Sequence, residues 1–222
     1  MSTLNFFGHS CFYLEETNIA LIFDPFLSAN PFQKTNHSQI NCDYILISHA
    51  HFDHLGDTID IANRTSATVI STAEVANLCA KEGCNTHAMH IGGKHTFDFG
   101  YVRITPAFHG AGVEGGHACG FIVNFKGKTI YFAGDTSLFG DMELLGRLEK
   151  IDYALLPIGD NFTMGPEDAA EAVGLLKPKA VIPMHYNTWP LIAQSPDQFK
   201  QIVEGRFSIP VHILQPGEAI DL

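Results

Sequence analysis

The sequence predicts a layered α/β protein built on mixed β-sheets. Short apolar runs occur both as hairpin-like pairs and in alternation with helical patterns. Loops rich in Gly, Pro and Asn punctuate these runs, and no repeat, low-complexity tract or linker interrupts them. The 222 residues are 45% hydrophobic and 17% charged, a globular balance that excludes disorder and suits a single domain over residues 1–222.

Leu4–Leu14 and Ile19–Phe23 read as strands, the second ending at Asp24-Pro25. Tyr44–Ile47 is another apolar run, leading straight into Ser48-His49. Asp57–Asn63 is a short helix and Thr68–Ile70 a β-branched strand. Ser71 and Glu74 have capping-box spacing, opening a helix that Gly83 should stop. Phe97–Phe108 and Gly120–Ala133 are strand-rich, the latter with a hairpin turn at Lys126-Gly127-Lys128. The continuous apolar run Ile151–Ile158 suits a strand buried on both faces. Pro166 fits the first position of a helix, where Glu167 and Asp168 favour the dipole. Ala169, Ala170, Val173 and Leu176 keep helical spacing as far as Lys177-Pro178. Ala180–Met184 is a further strand, and Asp197–Val203 a last helix before Val211–Leu214.

Thirteen Lys and Arg against 24 Asp and Glu give a net charge of −11, which argues against a protein that grips nucleic acid. No apolar run approaches the roughly 18 residues of a membrane helix, and Met1–Ser10 lacks the basic start and apolar stretch of a signal peptide. The expected compartment is the cytoplasm. Five cysteines, none in a C-x-x-C pair, read as free buried thiols rather than a disulfide framework. Twelve histidines are the unusual feature, three of them within six residues.

Those three lie in Ser48-His49-Ala50-His51-Phe52-Asp53-His54, at the carboxyl end of Tyr44–Ile47, where open α/β sheets place their ligands. If extended backbone persists through His49 and His51, both imidazoles point the same way and can share one metal ion. As the chain turns, Asp53 and His54 project to a neighbouring position. Such donors suit zinc or a similar divalent ion. A polar loop that is merely rich in histidine explains the stretch poorly, since its groups would repel on protonation and offer nothing to a core. Further donors follow other strands: His109 after Tyr101–Phe108, Asp135 after Thr129–Ala133, and His185 after Ala180–Met184.

The pattern resembles the metallo-β-lactamase superfamily, whose H-x-H-x-D-H motif is matched from His49 to His54. Its later His, Asp and His ligands resemble His109, Asp135 and His185, in order across nearly the whole chain. Gly8-His9-Ser10-Cys11, Leu156–Pro166 and Ile182-Pro183-Met184-His185-Tyr186-Asn187 resemble a branch of metal-dependent hydrolases related to ascorbate-phosphate lactonases. The resemblance implies a four-layer αβ/βα sandwich, two mixed sheets flanked by helices, with metals at the edge between the sheets. It implies His49, His51 and His109 on one ion, Asp53, His54 and His185 on a second, and Asp135 bridging. The implied cofactors are two divalent ions, zinc first, with manganese, nickel or iron as other fits. The implied reaction is hydrolysis of a small ester, lactone or phosphoester by a metal-bridging hydroxide, with Asp53 orienting the water and accepting a proton. His51, where a Glu would resemble the di-iron, oxygen-handling members, favours hydrolysis. His9 reads either as a core histidine of the first strand or, by the resemblance, as a catalytic residue near the metals that contacts substrate or stabilises the transition state.

Other features weigh less. Asp24 reads first as a turn residue and second as an acceptor for a ligand imidazole. Gly110–Gly115 satisfies G-x-G-x-x-G but precedes a strand, so it reads as a flexible active-site loop. His117 within it is the rival to His109. The loop Asp160, Asn161, Thr163 and Met164 is either an ordinary strand-to-helix turn or an anion cradle. His37, His87, His90, His95 and His212 lack carboxylate partners at useful spacing and read as surface or packing residues. No G-x-S-x-G elbow suggests a serine hydrolase. The expected partner is a small-molecule substrate, with no nucleic acid and no membrane, and a homo-oligomer stays open. The other readings are a nuclease of the same superfamily, opposed by the acidic balance, and a non-catalytic metal-binding module, opposed by the complete ligand set.

Overall fold

The computed structural model describes residues 2–32 and 34–222. The first strand-like run is a hairpin rather than one strand: β1 (Thr3–Gly8) pairs antiparallel with β2 (Cys11–Glu16). The reversal falls at Gly8 and His9, both at positive φ (100° and 57°). β3 (Ile19–Phe23) continues antiparallel, and β4 (Tyr44–Leu46), β5 (Thr68–Thr72) and β6 (Asn85–Met89) run parallel beyond it. The second sheet holds β7 (Lys94–Phe97), β8 (Gly100–Pro106), β9 (Cys119–Phe125) and β10 (Lys128–Phe132) as an antiparallel meander. β11 (Tyr153–Pro157) and β12 (Ala180–Met184) extend it in parallel. β13 (Ala219–Asp221) returns to pair with β1. The sheet orders are β13-β1-β2-β3-β4-β5-β6 and β12-β11-β10-β9-β8-β7.

Alternation along the strands explains the layers. In β4, Leu46 joins the core between the sheets, which includes Phe23 stacked on Phe132 at 4.8 Å. Ile45 points the other way, into a core with Ile61, Val75 and Cys79 from α2 (Thr58–Thr65) and α3 (Ala73–Lys81). The second sheet is covered by α4 (Met142–Leu148), α5 (Pro166–Leu176) and α6 (Pro196–Phe207), which supply Met142, Val173 and Phe199. The fold is therefore two mixed sheets flanked by helices, and the five cysteines are buried free thiols. Among the described residues no helix is long and apolar enough to cross a membrane.

The capping box does not form. Ser71 belongs to β5, where its hydroxyl donates to Ile47 O at 2.6 Å, and α3 starts after Thr72 without a side-chain cap. Several elements have no counterpart in the sequence pattern: β6 and β13 are half-exposed edge strands, and α4 is one short amphipathic piece. Val211 makes a single bridge to Val181 rather than a strand.

Candidate metal centre

β4 ends at Leu46, and the chain then passes through Ser48 and His49 into a four-residue helix, α1 (Phe52–Leu55), whose N-cap is His51. The backbone is still extended at His51, and His49 Nε2 lies 2.9 Å from His51 Nδ1. Asp53 and His54 point inward from the short helix and are buried. The loops after β8, β10 and β12 deliver His109, Asp135 and His185 to the same place. Gly134, at φ 62°, sets the direction of Asp135, because a Cβ there would meet Cys119 O at 2.6 Å and Ser48 Cβ at 2.9 Å.

All seven ligand candidates come together. Donor atoms of His49, His51 and His109 lie within 4.8 Å of one another, as do those of His9, Asp53, His54 and His185. Asp135 Oδ2 stands between the groups, 3.5 Å from His109 Nε2, 3.4 Å from His54 Nε2 and 3.1 Å from His185 Nε2. His117, the rival to His109, lies elsewhere, with its ring 5.8 Å from that of His90.

The residues fit divalent cations. His51 Nδ1 is 2.9 Å from His49 Nε2 and 3.3 Å from His109 Nε2, a convergence in which one proton can serve only one pair. His54 Nε2 and Asp135 Oδ1 are buried with no hydrogen-bond partner. Imidazole nitrogens with carboxylate oxygens are the donor set of zinc and its neighbours. The charges answer one another in the same sense. Burial opposes ionisation of both carboxylates, yet the His185 and His54 charges hold Asp135 well below the usual range, and His185, 3.8 Å away, with the hydrogen bond from His9 holds Asp53 low. Burial also disfavours imidazolium, but Asp135 raises His54 well above its ordinary value and His185 to about 9.

Asp24 is not merely a turn residue. It is fully buried, accepts from His54 Nδ1 at 2.6 Å, and binds Ser48 through both the amide (2.8 Å) and the hydroxyl (2.5 Å). Ser48 Oγ in turn meets His49 Nδ1 at 2.9 Å. Asp24 thus orients two imidazoles at once. His9 lies in the β1–β2 turn rather than within a strand. Its Nε2 is 3.0 Å from Asp53 Oδ2 and its Nδ1 2.7 Å from Thr188 Oγ1, and burial with the nearby His185 charge pushes it down to about 4. A neutral ring with its proton on Nε2 then donates to Asp53 and accepts from Thr188.

The loop at 160–164 is an ordinary turn: the amides of Asp160, Asn161, Thr163 and Met164 are all hydrogen-bonded within the protein, leaving none for an anion. His37 and His90 do find carboxylates, from distant segments: His37 Nδ1 is 3.8 Å from Asp57, and His90 approaches Glu74. Sequence reasoning missed the rim. A cavity of about 350 Å³ over the cluster is lined by Phe52, Phe162, Trp189 and Leu191 beside His51, Asp53, His109, Asp135 and His185. Phe52 and Leu191 are 69% and 66% exposed. Phe52 lies inside the motif and Trp189 is the one tryptophan of the chain, the signals that could have marked them.

A family model described as "Beta-lactamase superfamily domain" matches residues 20–186. The chain belongs to the metallo-β-lactamase superfamily, and its class is that of the metal-dependent hydrolases. It is 53% identical over 227 residues to the "UPF0173 metal-dependent hydrolase" of Pelotomaculum thermopropionicum, covering 99% of both chains. Its identity to the protein so named from Natranaerobius thermophilus is 50% over 219 residues, again covering 99% of both. Among solved structures, Igni18, a metallo hydrolase from the archaeon Ignicoccus hospitalis, matches at TM-score 0.92 and 37% identity, covering 99% of this chain and 97% of that one.

Proposed function

We propose that the chain, as one domain over residues 1–222, is a binuclear metallohydrolase of small esters, lactones or phosphoesters. The observation that carries this reading is Asp135 Oδ2, within 3.5 Å of ring nitrogens from both imidazole groups. His49, His51 and His109 would hold one ion, Asp53, His54 and His185 the other, with Asp135 shared; zinc suits this set best. Such a pair would lower the pKa of a nearby water and polarise the scissile carbonyl or phosphoryl oxygen.

The protein's own groups complete the chemistry. Asp53 Oδ2 is engaged by His9, and its Oδ1 makes no hydrogen bond among the described residues, so it is free to orient water and take its proton. His9 donates from Nε2 to Asp53 and keeps that carboxylate anionic and fixed. Among the described residues, no Lys or Arg lines the cavity. An apolar rim without cationic side chains favours a neutral ester or lactone bearing an apolar group over an anionic phosphate monoester, and gives a nucleic-acid polymer nothing to hold.

A panel of chromogenic esters, lactones and phosphodiesters tests this. The reading expects metal-dependent turnover, highest on neutral substrates with an apolar or aromatic group, and a raised KM for them in Trp189→Ala with a smaller change in kcat. Inactivity across the panel with the centre fully loaded would favour a non-catalytic metal module.

A further inference from the structure

A second cluster of metal-type side chains lies apart from the centre. Glu74 is in the first turn of α3, His90 follows β6, and His117 sits in the loop between β8 and β9. We infer that Glu74, His90 and His117 form a separate site for a borderline-soft divalent cation such as zinc, cobalt or nickel. One donor atom from each lies within 4.8 Å of the other two, although the residues are 16 and 27 positions apart in sequence. A solvated surface patch would leave its carboxylate hydrated. Here Glu74 Oε2 is buried and has no hydrogen-bond partner, and no ion pair to Lys or Arg engages Glu74 among the described residues. A buried carboxylate oxygen without a partner is costly, and a cation between it and two imidazoles removes that cost. Two nitrogens among three donors select against magnesium and calcium.

The surroundings give the site a consequence. Thr72 Oγ1 donates to His117 O at 3.1 Å, and a Cβ on Gly116 would stand 3.3 Å from Glu74 Cβ, so this loop lies against the start of α3. The same loop carries His109 and accepts the Ala50 amide at Ala111 O, 2.8 Å away. An ion at Glu74, His90 and His117 therefore staples the loop that leads out of the centre. His90 Nδ1 accepts the Ile91 amide at 3.0 Å, so the ring must turn, or release that amide, as the ion assembles its ligands. The ion is therefore held less tightly than those of a preformed centre.

Zinc titrated calorimetrically into the holoenzyme, its centre already filled, tests the site. Wild type should take up one additional equivalent per chain. Glu74→Gln and His117→Ala should each weaken that equivalent at least tenfold while keeping the ions of the centre and the thermal transition. His95→Ala should not, although His95 packs on His87 with ring centroids 4.3 Å apart and offers a histidine pair without a carboxylate. Cleavage after exposed Glu114 by a glutamyl endopeptidase should slow when the additional ion binds. An additional equivalent that never appears in excess zinc, or that persists in the Glu74→Gln/His117→Ala double variant, overturns the inference. The comparison between wild type and variants holds whatever the stoichiometry of the main centre.

Discussion

Asp53 and Asp24 show how much one carboxylate can do. In Asp53→Asn the charge and the proton capacity go while size and one acceptor remain. With metal restored, hydrolysis should fall by roughly 10²–10⁴-fold, and steady-state rates on the best substrate check it. Exposed Asp60→Asn, on α2 and outside the centre, should match wild type. Asp24→Asn should reduce metal affinity by roughly 10–100-fold, read by competition with a chelating dye, since it weakens the hold on His54 and on Ser48 beside His49. The motif from His49 to His54 was legible because four metal-type residues in six have no other use. Asp24 carries no such signal in the sequence, although it follows β3 as the other acids and imidazoles follow their strands. Its partners, His54 and Ser48, are 30 and 24 residues away, a proximity created only when β3 and β4 pair.

Whole elements were legible where burial imposed a period. β11 and β12 are continuous apolar runs because both faces are covered, and α5 announces itself through Pro166 and its apolar spacing. Edge strands such as β6, exposed along much of their length, carry no such pattern, and the β1–β2 reversal hides in a run apolar on both sides of Gly8. Between elements, Asp152 ties the second sheet together, accepting the Thr129 amide at 2.8 Å and Lys179 Nζ at 2.7 Å. Partial burial raises its pKa, but Lys179 and the amide outweigh this and the net shift is downward. A depressed folded-state value means stability present above the unfolded value near 3.9 and lost as pH falls through the folded one. Asp152→Asn should therefore lower the melting temperature by roughly 1–2 °C at neutral pH, a small figure because Lys179 is exposed. The difference should close in acid, and melting curves recorded across pH check this.

At the scale of the molecule, two sheets meet so that four strand ends and one hairpin turn open on the same edge. The β1–β2 turn supplies His9, the end of β4 the motif, and the ends of β8, β10 and β12 the remaining donors. The donors come from strands of both sheets, so the full set is brought together only when both sheets are assembled. Ions bound there should in turn stabilise the assembly, and their removal by chelation should lower the melting temperature, an effect reversed by adding metal back.

The central claim is that one carboxylate, Asp135, joins two ion sites. Native mass spectrometry on the Glu74→Gln background, where the additional cluster is silenced, measures it directly. The account predicts two ions per chain with Asp135 intact and substantial loss of both, with hydrolysis, in Asp135→Ala. Two ions retained in Asp135→Ala, or a single ion per chain when Asp135 is present and metal is in excess, would contradict it.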